Sequence, residues 1–237
     1  SCLLLYFIPN NFQLIFLLAF IPSAIAVAFT FIVKDKQQSA KTKSKKNYLE
    51  FWKTAPKEYK RILVLIILFS LVNSSDVFLI LRSQNISNSN TLAILGYVFY
   101  NLVYAAASYP LGGISDKYGK KKVFTFGLIT FSLVYFGFAF VDNIYFIWIL
   151  FALYGVYAAS TEGVSKAWIS DLIPNEFRGS AIGLITMLSS LAVMFGSFLT
   201  GILWDKFGST VPFLVSAIVS LIIAFILFMH DRRIKFL

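Results

Sequence analysis

The sequence predicts an all-α integral membrane protein, a bundle of seven transmembrane helices, and three observations carry that reading. Of its 237 residues, 58% are hydrophobic and only 14% charged, whereas soluble domains carry about 25% charged residues. The apolar residues gather into seven runs, at 12–33, 62–81, 91–113, 123–141, 145–169, 181–203 and 211–229, each long enough to cross about 30 Å of hydrocarbon. Eighteen of the 21 Lys and Arg residues fall in alternate loops or at the C-terminus, all on one side of such a bundle. Basic loops are retained on the cytoplasmic side of the bilayer.

Residues 2–8 are too short to span and read as the tail of a preceding helix that turns at Pro9-Asn10-Asn11. The chain begins with Ser1 rather than Met, so it is expected to be a fragment whose residues 1–33 close an N-terminal helix bundle. Pro22 predicts a kink in the first span. Residues 34–61 hold ten of the basic residues and little to bury, which makes them a cytoplasmic linker. In its second part Tyr48, Leu49, Phe51 and Trp52 alternate with Glu50, Lys53, Lys57 and Lys60. That part is either an amphipathic helix on the inner membrane surface or a solvated loop. Residues 62–237 then form a six-helix bundle. Its basic residues lie at 112–122 (four), at Arg178, and at Arg232, Arg233 and Lys235; only Arg82 and Lys206 lie opposite, and Lys166 lies inside a span. The C-terminus is therefore expected in the cytoplasm of a cell membrane. The net charge of +10 is a topological signal that meets anionic lipid headgroups and not nucleic acid.

Ionisable residues inside a bilayer cost at least ~2.5 kcal/mol each and normally face protein or a watery cavity. Asp76 stands in the second span beside Asn73, Ser74 and Ser75, and Asn73 and Asp76 would share a helix face at i, i+3. Asp76 is either a substrate or proton site or a structural bond to a neighbouring helix. The third span places Tyr97, Asn101, Tyr104 and Ser108 on one line. In the fifth, Tyr154, Ala158, Thr161 and Ser165 form a stripe beside Glu162 and Lys166, an i, i+4 pair suited to a gate, an ion pair or a binding site. The second, third and fifth spans are thus expected to line a pathway. The fourth and seventh hold no charge and only scattered Ser, Thr and Tyr, which suits helices facing lipid. Gly183, Gly196 and Gly201 in the sixth suit close packing or bending.

Between the third and fourth spans lies Gly112-Gly113-Ile114-Ser115-Asp116-Lys117-Tyr118-Gly119-Lys120-Lys121-Lys122. Gly112 would admit a close neighbour, and Gly119 can take the left-handed backbone of a tight reversal. Asp116 can pair with a cation or cap a helix, and Lys117, Lys120 and Lys121 anchor the turn. The pattern recurs at 201–208 as Gly201-Ile202-Leu203-Trp204-Asp205-Lys206-Phe207-Gly208. Each copy follows the second helix of a triplet, and the copies fall on opposite sides, as two inverted three-helix repeats require.

The stretch at 112–122 resembles the signature loop of the major facilitator superfamily of transporters, and residues 171–179 resemble that family's loop between the fifth and sixth spans. The resemblance covers the last helix of one half, the linker and the whole second half. It implies secondary active transport of a small solute by alternating access, as proton-coupled efflux of a drug or metabolite, or alternatively as uptake by a permease of the same fold. It implies protons as a coupling partner, a missing N-terminal helix bundle in the same chain, and a loop at 112–122 that clasps helix ends when the cytoplasmic side is closed. The rival of another class is a membrane sensor or scaffold that moves nothing. An enzyme is not expected, because the acids are dispersed and His230 is the single histidine. One cysteine gives no thiolate metal site, no Gly-rich phosphate loop is present, and no cofactor is expected. The topology predicts that a Ser44→Cys thiol is labelled only from the cytoplasm and a Ser87→Cys thiol only from outside; labelling of both from one side would refute the span count.

Overall fold

A computed structural model describes residues 20, 21, 24, 25, 27–29, 52 and 55–234. The chain divides into two compact units, Ser1–Asn47 and Tyr48–Leu237. In the first unit every described residue is helical, but Pro22 and most of the span expected at 12–33 lie outside the described residues. The numbered helices all belong to the second unit. They are α1 (Lys57–Val72), α2 (Val77–Ser87), α3 (Asn90–Tyr118), α4 (Lys120–Phe140), α5 (Ile144–Leu172), α6 (Arg178–Phe207) and α7 (Thr210–Ile234), with a short 3-10 turn at Asn175–Phe177 before α6. No strand occurs among the described residues. Among the described residues, six helical stretches are long and apolar enough to cross a membrane, α1 and α2 together making the first of them. Helix α1 starts inside the expected linker: Lys57 to Arg61 are already helical, and Tyr59 is fully buried, donating to the Ala181 carbonyl of α6 at 3.1 Å.

The core gathers around α4, which packs against α5 on one side and α7 on the other, while α3 lies on α5 and α1 on α6. Aromatic rings fill it. Phe131 stacks on Tyr135 at 3.9 Å and meets Phe69 and Tyr157 edge-on, and Phe138 contacts Phe151 and Phe213. The expectation that α4 faces lipid is therefore wrong, because twelve of its 21 residues are buried. The physical reason lies in the scattered hydroxyls. Ser132 of α4 donates to the Ala217 carbonyl of α7 at 2.8 Å, Ser220 of α7 donates back to Leu128 at 3.0 Å, and Thr210 reaches Ala139. In an apolar solvent helices gain nothing from hydrophobicity alone, so hydroxyl-to-carbonyl bonds and close packing hold them together.

Helix α3 runs through most of the charged turn and ends only at Tyr118, so the reversal is a single residue. Gly119 takes φ 98°, and its N–H closes on the Ser115 carbonyl at 3.0 Å. Gly208, its counterpart in the repeat, takes φ 79° and closes on Trp204 at 2.9 Å. These are the two glycines with positive φ among the described residues, and a Cβ at either would be strained. The two copies of the motif thus end α3 and α6 in the same way. Gly112, by contrast, meets no atom within 4 Å of an added Cβ, and Gly183 likewise. The close approach is at Gly196, where an added Cβ would overlap the Leu71 carbonyl of α1. Gly196→Ala in the full-length protein is expected to lower stability by about 1–3 kcal/mol through overpacking, while Gly183→Ala in the same helix leaves it unchanged. Thermal unfolding in detergent distinguishes the two.

Candidate functional site

The site is organised by an interruption in the first of the six described spans, Lys57–Ser87. Helix α1 stops at Val72 and α2 begins at Val77, leaving residues 73–76 out of the helical ladder. Four successive polar residues explain the stop, since Asn, Ser and Asp side chains compete for backbone groups and favour caps and turns over helix interiors. The freed backbone is held by neighbours. Ser216 of α7 donates to the Val72 carbonyl at 2.7 Å, and the Ser75 N–H donates to the Ser197 hydroxyl of α6 at 3.0 Å. The Asn73 N–H closes on Phe69 at 2.9 Å. Ser197 follows Gly196, so the glycine that lets α6 approach α1 also brings the accepting hydroxyl into range.

Asp76 sits at the start of α2 with both carboxylate oxygens engaged. Tyr154 of α5 donates to Oδ1 at 2.6 Å and Tyr97 of α3 donates to Oδ2 at 3.1 Å. Hydrogen bonds to a charged group contribute about 1.5–3 kcal/mol each, so Asp76 ties the break to two other helices. Gly155 makes this possible: an added Cβ there would lie 2.9 Å from the Tyr100 carbonyl and the Tyr104 nitrogen, so α5 and α3 meet backbone to backbone beside Tyr154. Tyr100 fills the space between, 5.2 Å from Tyr97 and 4.9 Å from Tyr154 between ring centres. The i, i+3 relation expected for Asn73 and Asp76 does not exist, because the helix is broken between them.

A second group surrounds a cavity of about 500 Å³ between α1, α5 and α6. Asn73, Glu162 and Lys166 line it, as do Thr161 and Ser165 from the α5 stripe, whereas Tyr154 and Ala158 of that stripe are buried in the core. Glu162 does not pair with Lys166; its Oε2 accepts the Tyr104 hydroxyl at 2.9 Å. Helix α6 supplies Thr186, Ser189, Ser190 and Val193. Helix α6, which was not among the spans expected to line a pathway, lines this cavity, and α3 reaches it only through the Tyr104 bond. The signal was present as polar residues at i, i+3 and i+4 in the run 181–203. Asn101 stands apart, exposed, with its amide on the Tyr97 carbonyl at 2.8 Å.

At the α3–α4 turn the binding partner is Lys120. Its Nζ lies 2.5 Å from Asp171 Oδ2, at the end of α5, and 3.5 Å from Asp116 Oδ1, one turn back in α3. Asp116 therefore pairs locally across the turn, and the bond that reaches another helix belongs to Asp171, which the motif does not contain. Three lysines at the start of α4 oppose its dipole, and Asp171 opposes that of α5 at its C-terminal end; the Lys120–Asp171 pair relieves both. Across the bundle Arg82 of α2 donates to the Phe138 and Val141 carbonyls at 3.0 and 3.3 Å and pairs with Asp142 at 2.8 Å, capping the end of α4.

A helix bundle in which six described stretches are long and apolar enough to cross a membrane, the first of these six interrupted beside an open cavity, is a multi-pass membrane protein. The chain belongs to the Major Facilitator Superfamily, whose sequence pattern matches residues 63–235; this is a family of transporters, not of enzymes. Over 228 residues it is 32% identical to an uncharacterized MFS-type transporter of Methanocaldococcus jannaschii, covering 94% of this chain and 56% of that relative. It is 32% identical over 114 residues to the multi-drug resistance efflux pump PmrA of Streptococcus pneumoniae, covering 48% of this chain and 28% of the pump. It is 29% identical over 126 residues to the class H tetracycline resistance protein of Pasteurella multocida, covering 52% and 31%. The chain thus spans little more than half the length of the Methanocaldococcus jannaschii relative. No solved structure matches it.

The turn geometry separates the two carboxylates of Lys120. Asp171→Asn in the full-length protein should lower the unfolding midpoint and reduce its dependence on salt, since it removes the bond between helices. Asp116→Asn should do so less, because Asp116 lies 3.5 Å from Lys120 across the turn where Asp171 lies 2.5 Å from it, and a loose exposed pair contributes at most about 1 kcal/mol. Equal effects, measured by thermal unfolding at low and high ionic strength, would refute the assignment.

Proposed function

We infer that the full-length protein moves a small solute across a cell membrane by alternating access, coupled to protons, in the direction of efflux. The observation that carries this reading is the Asp76 carboxylate at a helix break, held by two tyrosine hydroxyls from different helices and set near a polar cavity. Broken helices near the middle of the membrane are where many secondary transporters place substrate and coupling-ion sites. As a carboxylate Asp76 accepts from both Tyr97 and Tyr154. Once protonated it carries a donor where it had an acceptor, and one of those bonds has to reorganise. Protonation is thereby linked to how α3 and α5 grip the break. Efflux as the direction is supported by the two relatives named for multi-drug and tetracycline resistance, and a drug or metabolite is the corresponding solute.

The remaining half of the transporter is a further helix bundle of the same polypeptide, consistent with the 56% coverage of the long relative. Lys120, Asp116 and Asp171 form the clasp that closes one face, with Lys120 as its centre. The distribution of basic residues supports a cytoplasmic position for that face and for the C-terminus.

The test is flux in proteoliposomes of the full-length protein, with interior pyranine reporting proton movement and a drug panel that includes tetracycline. Addition of a transported compound should move protons in the opposite sense. Asp76→Asn should abolish gradient-driven accumulation while leaving gradient-free counterflow intact and the protein in the membrane. Unchanged accumulation by Asp76→Asn would reduce Asp76 to a structural bond.

A further inference from the structure

We propose that the cavity between α1, α5 and α6 receives an amphiphilic zwitterion: a solute with one ammonium, one carboxylate and an apolar body. This rests on the transport reading and names the class of its substrate. The cavity, about 500 Å³, matches the pockets that take small organic ligands. One wall carries two opposite charges, Glu162 and Lys166, a single helical turn apart on α5, where Cβ atoms are about 5–6 Å from each other. The two side chains are close enough to pair and do not. Glu162 is held by the Tyr104 hydroxyl at 2.9 Å, and Lys166 makes no ion pair among the described residues.

A carboxylate and an ammonium facing one chamber separately each remain open to a ligand charge of the opposite sign. A solute with only one charge would engage one of these exposed side chains and leave the other without a ligand partner. A zwitterion of amino-acid dimensions answers both. On the opposite walls Asn73 Oδ1 and Ser189 Oγ are buried without a hydrogen-bond partner in the protein, and both residues line the cavity. Asn73 Oδ1 is an acceptor only and, like Ser189 Oγ, is closed to solvent; rotation of the side chain would turn Asn73 to a donor such as an ammonium N–H and Ser189 to either ligand group. Phe69, Phe124, Ile169 and Ile185 complete the lining and set the apolar body against aromatic and branched side chains. Tyr104 acts as a positioning residue, turning Glu162 away from Lys166.

Three probes with one phenyl body separate the charges: L-phenylalanine carries both, phenethylamine the ammonium alone, and 3-phenylpropionate the carboxylate alone. Calorimetric binding to the full-length protein in lipid nanodiscs should favour phenylalanine at least tenfold over either of the others. Lys166→Met should erase its advantage over phenethylamine, and Glu162→Gln its advantage over 3-phenylpropionate. Tyr104→Phe, which releases Glu162 to pair with Lys166, should weaken phenylalanine while leaving the single-charge probes less affected. Equal binding of the three, tightest binding of a single-charge probe, or no binding of phenylalanine overturns the proposal. Proton-linked flux of phenethylamine without phenylalanine binding would keep the transport reading and discard the zwitterion. A tenfold phenylalanine preference with no flux of any compound would do the reverse.

Discussion

In hydrocarbon, a peptide group without a hydrogen-bond partner costs several kilocalories per mole, and residues 73–76 interrupt a membrane helix in spite of that cost. Much of the surrounding architecture answers this one constraint. Ser216 and Ser197 come from α7 and α6 to satisfy the Val72 carbonyl and the Ser75 N–H. Gly196 has no side chain because α6 would otherwise collide with the Leu71 carbonyl. Asp76 then fastens the downstream segment to α3 and α5 through tyrosine hydroxyls, and Arg82 fastens it to the end of α4. The upstream and downstream halves of the span therefore have different partners: α1 is held by α6 and α7, α2 by α3, α4 and α5. The α4–α7 bonds of Ser132, Ser220 and Thr210 join the two sets of partners on the far side of the break.

The parts of this arrangement that follow from length and charge were legible in the sequence. Hydrophobic runs located all six described spans, and the Gly-x-x-x-Asp-Lys-aromatic-Gly repeat located the two positive-φ glycines at matching helix ends. Asp76, Tyr97 and Tyr154 were visible as polar groups that lipid would not tolerate. What stayed hidden depended on direction. Serines in the runs at 123–141 and 211–229 look incidental on a composition scale, yet Ser132 and Ser220 bond α4 to α7 reciprocally, and that makes α4 central instead of peripheral. The same ambiguity misled the reading of residues 73–76, where four polar residues in succession were a stronger signal for a break than for a polar helix face. Spacing of i, i+4 also overstated Glu162 and Lys166 as an ion pair, because a tyrosine two helices earlier in the chain competes for the carboxylate.

Charge placement at the helix ends follows a related logic. A cluster of lysines helps to fix topology only if it stays in the aqueous phase, but Lys120 is held at the start of α4, where the helix dipole disfavours it. Asp171 stands at the wrong end of α5 for the same reason. Each residue alone would weaken its helix, and together they form the shortest ion pair among the described residues. Because neither is well placed without the other, their bond depends on α4 and α5 keeping their present offset, which is the property a clasp needs. Asp116, on the same chain segment as Lys120, would stay within reach of it whatever the offset.

The two intramembrane carboxylates are not equivalent in the bonds that hold them. Asp76 has both oxygens occupied by protein donors and does not line the cavity, so its chemistry is inward-facing and concerns the helices that hold it. Glu162 has one oxygen on Tyr104 and stands in the cavity wall, so part of it remains for a ligand. Helix α5 joins them. Tyr154, which grips Asp76, precedes Glu162 by eight residues, about 12 Å along a helix rising 1.5 Å per residue, and precedes Lys166 by one further turn. Helix α3 offers a parallel connection, since Tyr97 grips Asp76 and Tyr104 grips Glu162 from the same helix. Any displacement of α3 or α5 that loosens the Asp76 grip is therefore felt at Glu162. On the proposed reading, a ligand that drew Glu162 and Lys166 toward itself would act on the same two helices from the opposite end.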